Sequence, residues 1–301
     1  MAKLSIIIPA RNEGQWLEKT IADILAKATG DIEILVGVDG LPYPERTIQD
    51  HRVWYYAYPE PRGLKPIVNE LALKARGQYM MKTDAHCMFS EGFDEVLQAG
   101  MQDNWIVMPR LYILDAENWR WQDERFYDHF HLMCPLTDAK QYRFQAGGNW
   151  PERTAARLDV APWDETMGFH GACWFANRDY FLNCIGGLSI EGYGPLFMET
   201  FELEFKTWLG PWDGRVMVNK AAWYAHMHKG GQRPRGYGIS WRANRSSYDF
   251  TAHYWMENRW PDRVHDLEWL IDRFWPVPTW PDNWRELQVQ YERKRYAHEY
   301  A

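Results

Sequence analysis

The segment from Met80 to Cys87, MMKTDAHC, decides both the predicted fold and the predicted site of this chain. Its apolar start predicts the end of a buried strand, which delivers the polar residues that follow to the rim of a sheet. Because side chains two positions apart in an extended segment point to the same side, Asp84 and His86 can converge on one metal ion. A carboxylate oxygen with an imidazole nitrogen suits Mn²⁺, Mg²⁺ or a similar divalent cation.

A cation at this position would keep some of its coordination positions for phosphate oxygens. Such an arrangement neutralises a diphosphate leaving group, so the segment favours nucleotide-sugar chemistry. The same short pattern is also typical of a strand end with a solvated Asp84 and a packed His86. The rest of the chain has to separate these two interpretations.

The first third of the chain predicts an α/β domain with a mostly parallel central sheet. In such sheets ligands bind outside the carboxyl ends of the strands, so Asp39 and Asp84 should open onto one crevice. The chain has no GxGxxG after its first strand and no Walker A sequence, which disfavours a Rossmann dehydrogenase and a P-loop enzyme. Strands are predicted at 4–8, 32–38, 53–56, 79–83 and 105–108, and helices at 15–28, 65–76 and 94–101.

The remaining two thirds of the chain are less regular and rich in aromatic residues. Residues 1–260 are predicted to form one domain, and residues 261–301 a C-terminal helical extension packed on it. Within this part, strands are predicted at 173–176, 216–218 and 223–226, a short helix start at 179–182, and helices at 196–209, 243–258 and 282–298.

Composition limits the partners and the compartment. The net charge of −7 argues against binding of duplex nucleic acid mainly through its phosphates. The four cysteines form no CxxC pair, which is typical of reduced thiols in a cytosolic protein. No apolar stretch reaches membrane-spanning length without charges, so we expect a soluble, cytoplasmic protein.

Six segments in collinear order resemble family 2 glycosyltransferases of the GT-A fold. The resemblance covers roughly residues 4–260 and is strongest to the catalytic domain of the polypeptide N-acetylgalactosaminyltransferases. It departs from that pattern at residues 196–198, which replace two glycines, and at His170, so it leaves the donor sugar open. The segments are SIIIPARNE, ILVGVDG, TDAHCMFSEGF with its Asp-x-His, ETMGFHGACWFANRDYF, METFELEFKTW and AHMHKGG.

The resemblance implies a metal site and a nucleotide site. His226 would be the third metal ligand beside Asp84 and His86, although His228 is its rival and a packed core histidine is the alternative. Asp39 would accept a hydrogen bond from the uracil or ribose, or would only serve the turn before Gly40. The resemblance further places Pro9, Arg11 and Glu13 in the nucleotide pocket, and Arg62 and Lys65 at the base or phosphates unless they only begin a solvated helix.

The catalytic group implied by the resemblance includes an acidic pair. Glu199 and Glu202 lie three positions apart and share a helix face, which is also typical of a solvated acidic surface. Glu199 would be the general base of an inverting enzyme, or would hold sugar or acceptor hydroxyls in a retaining one.

A glycine-rich basic segment follows the predicted late histidine. Arg233 is predicted to act in catalysis and Lys229 and Arg235 to bind substrate, as parts of a lid that closes over the diphosphate. The alternatives for this segment are a surface for single-stranded nucleic acid and a solvated loop. Trp163 and His170 are predicted on the acceptor face.

Taken together, these features predict a metal-dependent glycosyltransferase that uses a nucleotide diphosphate sugar, in the first place a UDP-sugar. The resemblance favours retention of configuration at the sugar. The acceptor hydroxyl is left open between a glycan, a protein Ser or Thr and a hydroxymethylated base of DNA. A non-catalytic module that binds nucleotide sugars or glycans is the second class of function.

Overall fold

The computed structural model describes residues 3–43, 48–136, 142–144, 147–160, 162–228, 237–238 and 240–297. Within these ranges the chain folds into a mixed α/β structure, with a ten-stranded central sheet flanked by helices. The predicted α/β fold class is therefore confirmed, but the sheet is mixed rather than mostly parallel, with four parallel and five antiparallel pairings among its described strands. No described helix is both long enough and apolar enough to cross a membrane.

The first part of the chain forms the parallel half of the sheet. The strands at 4–10, 32–39 and 79–83 are almost fully buried and consist mainly of apolar residues, whereas the edge strand at 53–58 is partly exposed. Every strand and helix predicted up to residue 83 is present, with ends that differ by at most two residues. The elements are β1 (Leu4–Ala10), α1 (Gln15–Lys27), β2 (Ile32–Asp39), β3 (Val53–Tyr58), α2 (Leu64–Lys74) and β4 (Tyr79–Thr83).

The second part of the chain adds the antiparallel strands and the remaining helices. Its elements are β5 (Cys87–Phe89), α3 (Phe93–Gln98), β6 (Trp105–Asp115), β7 (Arg120–Tyr127), β8 (Phe130–Leu132), β9 (Gly147–Asn149), α4 (Pro151–Ala156), β10 (Trp163–Glu165), β11 (Cys173–Asn177), α5 (Glu199–Leu209), β12 (Arg215–His226), α6 (Trp241–Met256), α7 (Leu267–Arg273) and α8 (Trp284–Ala297). A π-helical turn, Tyr180–Cys184, lies where a short helix start was predicted.

The strand order is β10-β12-β6-β11-β4-β1-β2-β3. The strands from β4 to β3 run parallel to one another, and β12 runs parallel to β6. In contrast, β11 lies antiparallel between β4 and β6. This order brings the carboxyl ends of β1, β2 and β4 to one edge of the sheet, where ligands of α/β proteins bind.

Two predicted strands, 216–218 and 223–226, are in fact one strand, β12. The pairing register with β6 shifts between Asn219 and Trp223, which explains why the sequence pattern is interrupted. There the side-chain oxygen of Asn219 accepts hydrogen bonds from the backbone N–H groups of Ala221 and Ala222. The strand continues to His226, which pairs with Cys87 of β5.

The helix predicted at 196–209 begins at Glu199 instead. Met198, the residue before it, has a left-handed backbone with a φ of 62°, so the helix cannot extend backwards through it. As a consequence Leu196, Phe197 and Met198 line a cavity.

The C-terminal part is helical, as predicted, but contains the additional helix α7. Leu270 of α7 and Trp284 of α8 belong to the same hydrophobic core as the strands. This common core supports the prediction that the segment after residue 260 packs on the main domain, and the boundary itself stays a prediction.

Candidate active site

A cavity of about 530 Å³ opens at the carboxyl ends of β1, β2 and β4, beside the end of β12 and the start of α5. This is the edge of the sheet at which the sequence predicts the site. Most of the predicted site residues among the described ranges contribute to its lining. These are Pro9, Arg11, Glu13, Asp39, Asp84, His86, His170, Glu199 and His226.

The three predicted metal ligands converge in this cavity. One potential ligand atom from each of Asp84, His86 and His226 lies within 4.8 Å of the other two. The Oδ2 atom of Asp84 is 3.3 Å from Nε2 of His226 and 3.8 Å from Nε2 of His86. The backbone explains the convergence, because the N–H of Met227 donates to the carbonyl of His86 and so ties the two segments together.

The ring of His86 is oriented by Glu13. Its Nδ1 atom lies 3.1 Å from Oε2 of Glu13, and both side chains are more than nine-tenths buried. A histidine whose Nδ1–H donates to a carboxylate presents the lone pair of Nε2, which is how metal-binding histidines are commonly held. Glu13 is thus placed to orient a ligand, in addition to lining the cavity.

Lys82 is a site residue that the sequence analysis missed. Its ammonium group lies 2.8 Å from Oδ1 of Asp84 and 3.3 Å from Oε1 of Glu199, and it donates to the carbonyl of Gly171 at 2.7 Å. The side chain is only 2% exposed. The available signal was a lysine within the apolar run YMMKT, since a buried lysine requires an acidic partner.

The electrostatics of the cavity favour charged carboxylates and neutral imidazoles. Burial by itself raises the pKa of Asp84, but Lys82 and the neighbouring histidines hold it well below its usual range. Burial lowers the pKa of His226 well below its ordinary value and lowers that of His170 to about 4. At neutral pH these rings therefore carry free lone pairs beside an anionic carboxylate.

Glu199 shares the Lys82 contact. Its Oε1 atom accepts a hydrogen bond from Nε1 of Trp174 at 2.9 Å and also faces Lys82. Its Oε2 atom has no hydrogen-bond partner among the described residues. Asp84 and Glu199 thus each give one oxygen to Lys82, while the other oxygen of each stays available to a ligand.

A family model for glycosyl transferase family 2 matches residues 5–183 of the chain, which is more than half of its length. The chain belongs to glycosyl transferase family 2. This membership confirms the family resemblance that the sequence analysis describes. A search of curated protein sequences finds no match.

The fold of this family 2 transferase is also found in a solved GT-A enzyme. The structure of GalNAc-T7 with UDP, GalNAc and Mn²⁺ superimposes with a TM-score of 0.66 at 15% sequence identity, over 91% of this chain. This chain spans 56% of the length of that protein. The structure of S. aureus TarS 1-349 in complex with UDP-GlcNAc matches with a TM-score of 0.47 at 11% identity, over 79% of this chain and 62% of that one.

Two predicted residues of the transferase, Lys65 and Glu202, lie outside the cavity lining. They form a fully buried ion pair, in which Nζ of Lys65 is 3.0 Å from Oε2 of Glu202. The other oxygen of Glu202 faces Lys206 at 2.8 Å, and the N–H of Ser189 also donates to this carboxylate. Glu199 and Glu202 both lie in the first turn of α5, but Glu202 belongs to a buried salt-bridge network that no local sequence pattern reveals.

Asp39 lines the cavity and at the same time holds the backbone of the next loop. Its carboxylate accepts hydrogen bonds from the N–H groups of Arg62 at 2.6 Å and Gly63 at 3.1 Å. The guanidinium group of Arg62 pairs with Glu70 and lies over the ring of Tyr58, away from the cavity lining.

The remaining predicted residues divide into three cases. His170 lines the cavity beside His226. Trp163 does not line it and packs against Trp105. The predicted lid residues Lys229, Arg233 and Arg235 lie outside the described residues.

Proposed function

We propose that this transferase moves a sugar from a nucleotide diphosphate sugar to an acceptor hydroxyl, with the diphosphate bound over Asp84, His86 and His226. The observation that carries the proposal is the convergence of these three side chains in one cavity, from β4 and its adjoining segment and from β12. Neighbouring Pro9 and Asp39 lie at the ends of parallel strands, where a nucleotide would bind.

The proposed class of donor is based on the ligands of a solved structure with a similar fold. GalNAc-T7, which shares the fold, was solved with UDP, GalNAc and Mn²⁺. We therefore take UDP-sugars as the donor and Mn²⁺ or Mg²⁺ as the cation, and we leave the sugar itself to the assay described below. The cavity volume of about 530 Å³ lies in the range of sites that hold small-molecule ligands.

The residues present fit a divalent cation. Their donor set is one carboxylate oxygen and two imidazole nitrogens, which suits Mn²⁺. Both ring nitrogens of His226 are buried; Nδ1 has no hydrogen-bond partner among the described residues, and Nε2 faces only the carboxylate of Asp84 at 3.3 Å, as expected of a ligand ring. When bound there, the cation would neutralise charge on the diphosphate as the sugar leaves.

The residues around this group have separate tasks in the proposal. Lys82 keeps Asp84 anionic, and one oxygen each of Asp84 and Glu199 faces its ammonium group. Glu13 fixes the ring of His86. The free Oε2 of Glu199 accepts a hydrogen bond from a hydroxyl of the sugar or acceptor, which is its role if configuration is retained.

The test is a turnover assay on the whole chain. UDP-glucose, UDP-GlcNAc, UDP-GalNAc and GDP-mannose are each supplied with Mn²⁺ or with EDTA, and release of the nucleoside diphosphate is measured. We expect release from at least one UDP-sugar that EDTA abolishes. Saturable binding of a donor without release, in the presence of glycan, hydroxyl-bearing peptide and hydroxymethylated DNA, would instead support the non-catalytic module.

A further inference from the structure

The cavity contains a second group of potential metal ligands, which shares His226 with the first group but includes no carboxylate. One ring nitrogen from each of His170, His226 and His228 lies within 4.8 Å of the other two. The ring centroids are 5.3 Å apart for His170 and His226, 5.2 Å for His170 and His228, and 4.7 Å for His226 and His228. Nothing in the proposed donor site uses His170 or His228.

The backbone holds this group together. His226 and His228 are two positions apart at the end of β12, so an extended chain points both rings the same way. His170 is fixed from the other side, because the carbonyls of Gly171 and Ala172 accept hydrogen bonds from Lys82 and from the N–H of Asp84. The approach of the three rings is therefore built into two anchored segments.

His226 supplies an independent indication of a ligand. The residue is only 6% exposed, its Nδ1 atom has no hydrogen-bond partner within the described part of the chain, and its Nε2 atom contacts only the carboxylate of Asp84, at 3.3 Å. A buried ring nitrogen without a partner is uncommon in a folded protein, since burial of an unsatisfied polar group costs free energy. His228 is exposed at the mouth of the cavity, so its ring can turn towards an incoming ion.

His170 can join this group through Nε2. Its Nδ1 atom lies 3.4 Å from the hydroxyl oxygen of Tyr224 and 3.3 Å from the N–H of Ala172. Ligation through Nε2 places the ring proton on Nδ1, which can then donate it to the hydroxyl of Tyr224 and gives up the hydrogen bond that it accepts from the N–H of Ala172. The hydroxyl of Tyr224 thus plays the part that Glu13 plays for His86.

We propose that His170, His226 and His228 form a second cation position that takes Zn²⁺ or a similar borderline cation. Three imidazoles and no carboxylate make a softer donor set than Asp84, His86 and His226, and imidazole sets of this kind suit Zn²⁺. A neutral imidazole has one lone pair, so His226 can serve only one ion at a time. The two positions therefore exclude each other.

This exclusion has a consequence that rests on the proposed function. An ion at the three-histidine position removes His226 from the donor site, so Zn²⁺ acts as an inhibitor of turnover supported by Mn²⁺. The inhibition requires His228, a residue for which the donor site has no use. Binding of Zn²⁺ itself does not depend on whether the chain turns over a nucleotide sugar.

The experiment compares Zn²⁺ and Mn²⁺ binding by calorimetry, with Co²⁺ absorption as a second readout of imidazole ligation. The variants are Asp84→Asn, His170→Asn and His228→Asn, with His51→Asn as control because His51 is exposed and remote from the cavity. We expect Asp84→Asn to lose Mn²⁺ but keep Zn²⁺. His170→Asn and His228→Asn should lower the affinity for Zn²⁺ roughly tenfold or more and leave the affinity for Mn²⁺ unchanged.

The opposite patterns would overturn the proposal. The proposal fails if His228→Asn binds Zn²⁺ as tightly as His51→Asn does. It also fails if Asp84→Asn lowers the affinity for Zn²⁺ as much as the affinity for Mn²⁺. Unchanged thermal unfolding of His228→Asn confirms that a loss of Zn²⁺ is local. Failure of the donor assay would leave this binding result standing, so the two proposals are tested separately.

Discussion

The ammonium group of Lys82 lies 2.8 Å from Oδ1 of Asp84 and 3.3 Å from Oε1 of Glu199, so one buried cation joins the proposed metal ligand to the proposed hydroxyl-binding residue. Without Lys82, the carboxylates of Asp84 and Glu199 would face the same cavity with little positive charge to compensate them. The relationship explains how Asp84 remains charged before any metal ion binds, because the pKa of this carboxyl is held low mainly by Lys82 against the effect of burial.

Replacing Lys82 by Met should shift the pH dependence of turnover. Removal of the positive charge raises the pKa of Asp84, so activity should be lost at a higher pH on the acidic side. Unfolding free energy should also fall, by about 3–5 kcal/mol, as for other broken buried pairs. The measurement is kcat/KM against pH, with Lys82→Arg as the charge-preserving variant and the exposed Lys74→Met as control. An acidic limb that stays in place in Lys82→Met would refute this role.

Glu199 and Glu202 should behave differently when each is changed to Gln. Glu199→Gln removes a charged hydrogen-bond acceptor from the cavity and should lower kcat roughly tenfold to a hundredfold, for a loss of about 1.5–3 kcal/mol. Glu202→Gln leaves Lys65 buried without its partner and should cost about 3–5 kcal/mol of stability. The kcat of the folded fraction of Glu202→Gln should change little. Urea unfolding and kcat at saturating donor separate the two effects, and equal losses of kcat would contradict the assignment.

Glu13→Gln should weaken Mn²⁺ binding without unfolding the protein. The neutral amide of the introduced Gln accepts a weaker hydrogen bond from the Nδ1–H of His86 than the carboxylate does. Loss of such an orienting partner commonly lowers metal affinity about tenfold or more. The rise in unfolding temperature with increasing Mn²⁺ reports that affinity. Glu60→Gln, on an exposed loop, is the matched control. If both variants show the same response to Mn²⁺, Glu13 does not orient a ligand.

Glu204 should make stability depend on pH. It is buried, accepts one hydrogen bond from the N–H of Phe169 at 2.9 Å, and burial raises its pKa to about 8. Because the folded state holds this proton more tightly than the unfolded state, its contribution is complete below the unfolded pKa and is lost as pH rises through about 8.

Glu204→Gln mimics the protonated form and should remove this part of the pH dependence. Urea unfolding at several values between pH 5 and pH 8 measures it, with a slope of up to about 1.4 kcal/mol per pH unit for one proton. The control is Glu124→Gln, since Glu124 is exposed on β7. Identical slopes for Glu204→Gln and the control would show that Glu204 is charged in the folded protein.

The strands and helices of the first part of the fold could be predicted from the sequence, because apolar runs of the length typical of buried strands leave few alternative structures. The convergence of Asp84 with His86 followed from strand geometry alone. His226 needed the family resemblance, because 140 residues of chain separate it from the other two. The partners of Lys65 and Lys82 could not be predicted, since a lysine in a sequence does not reveal which distant carboxylate it will meet.

The account depends on Asp84, His86 and His226 forming one cation site, and Mn²⁺ titration followed by electron paramagnetic resonance tests this most directly. The unaltered chain should bind one equivalent of Mn²⁺, which lowers the signal of the free ion by the same amount. Asp84→Asn, His86→Asn and His226→Asn should each weaken this binding roughly tenfold or more, whereas His51→Asn should not. If all three variants still bind Mn²⁺ as the unaltered chain does, these residues do not form the cation site.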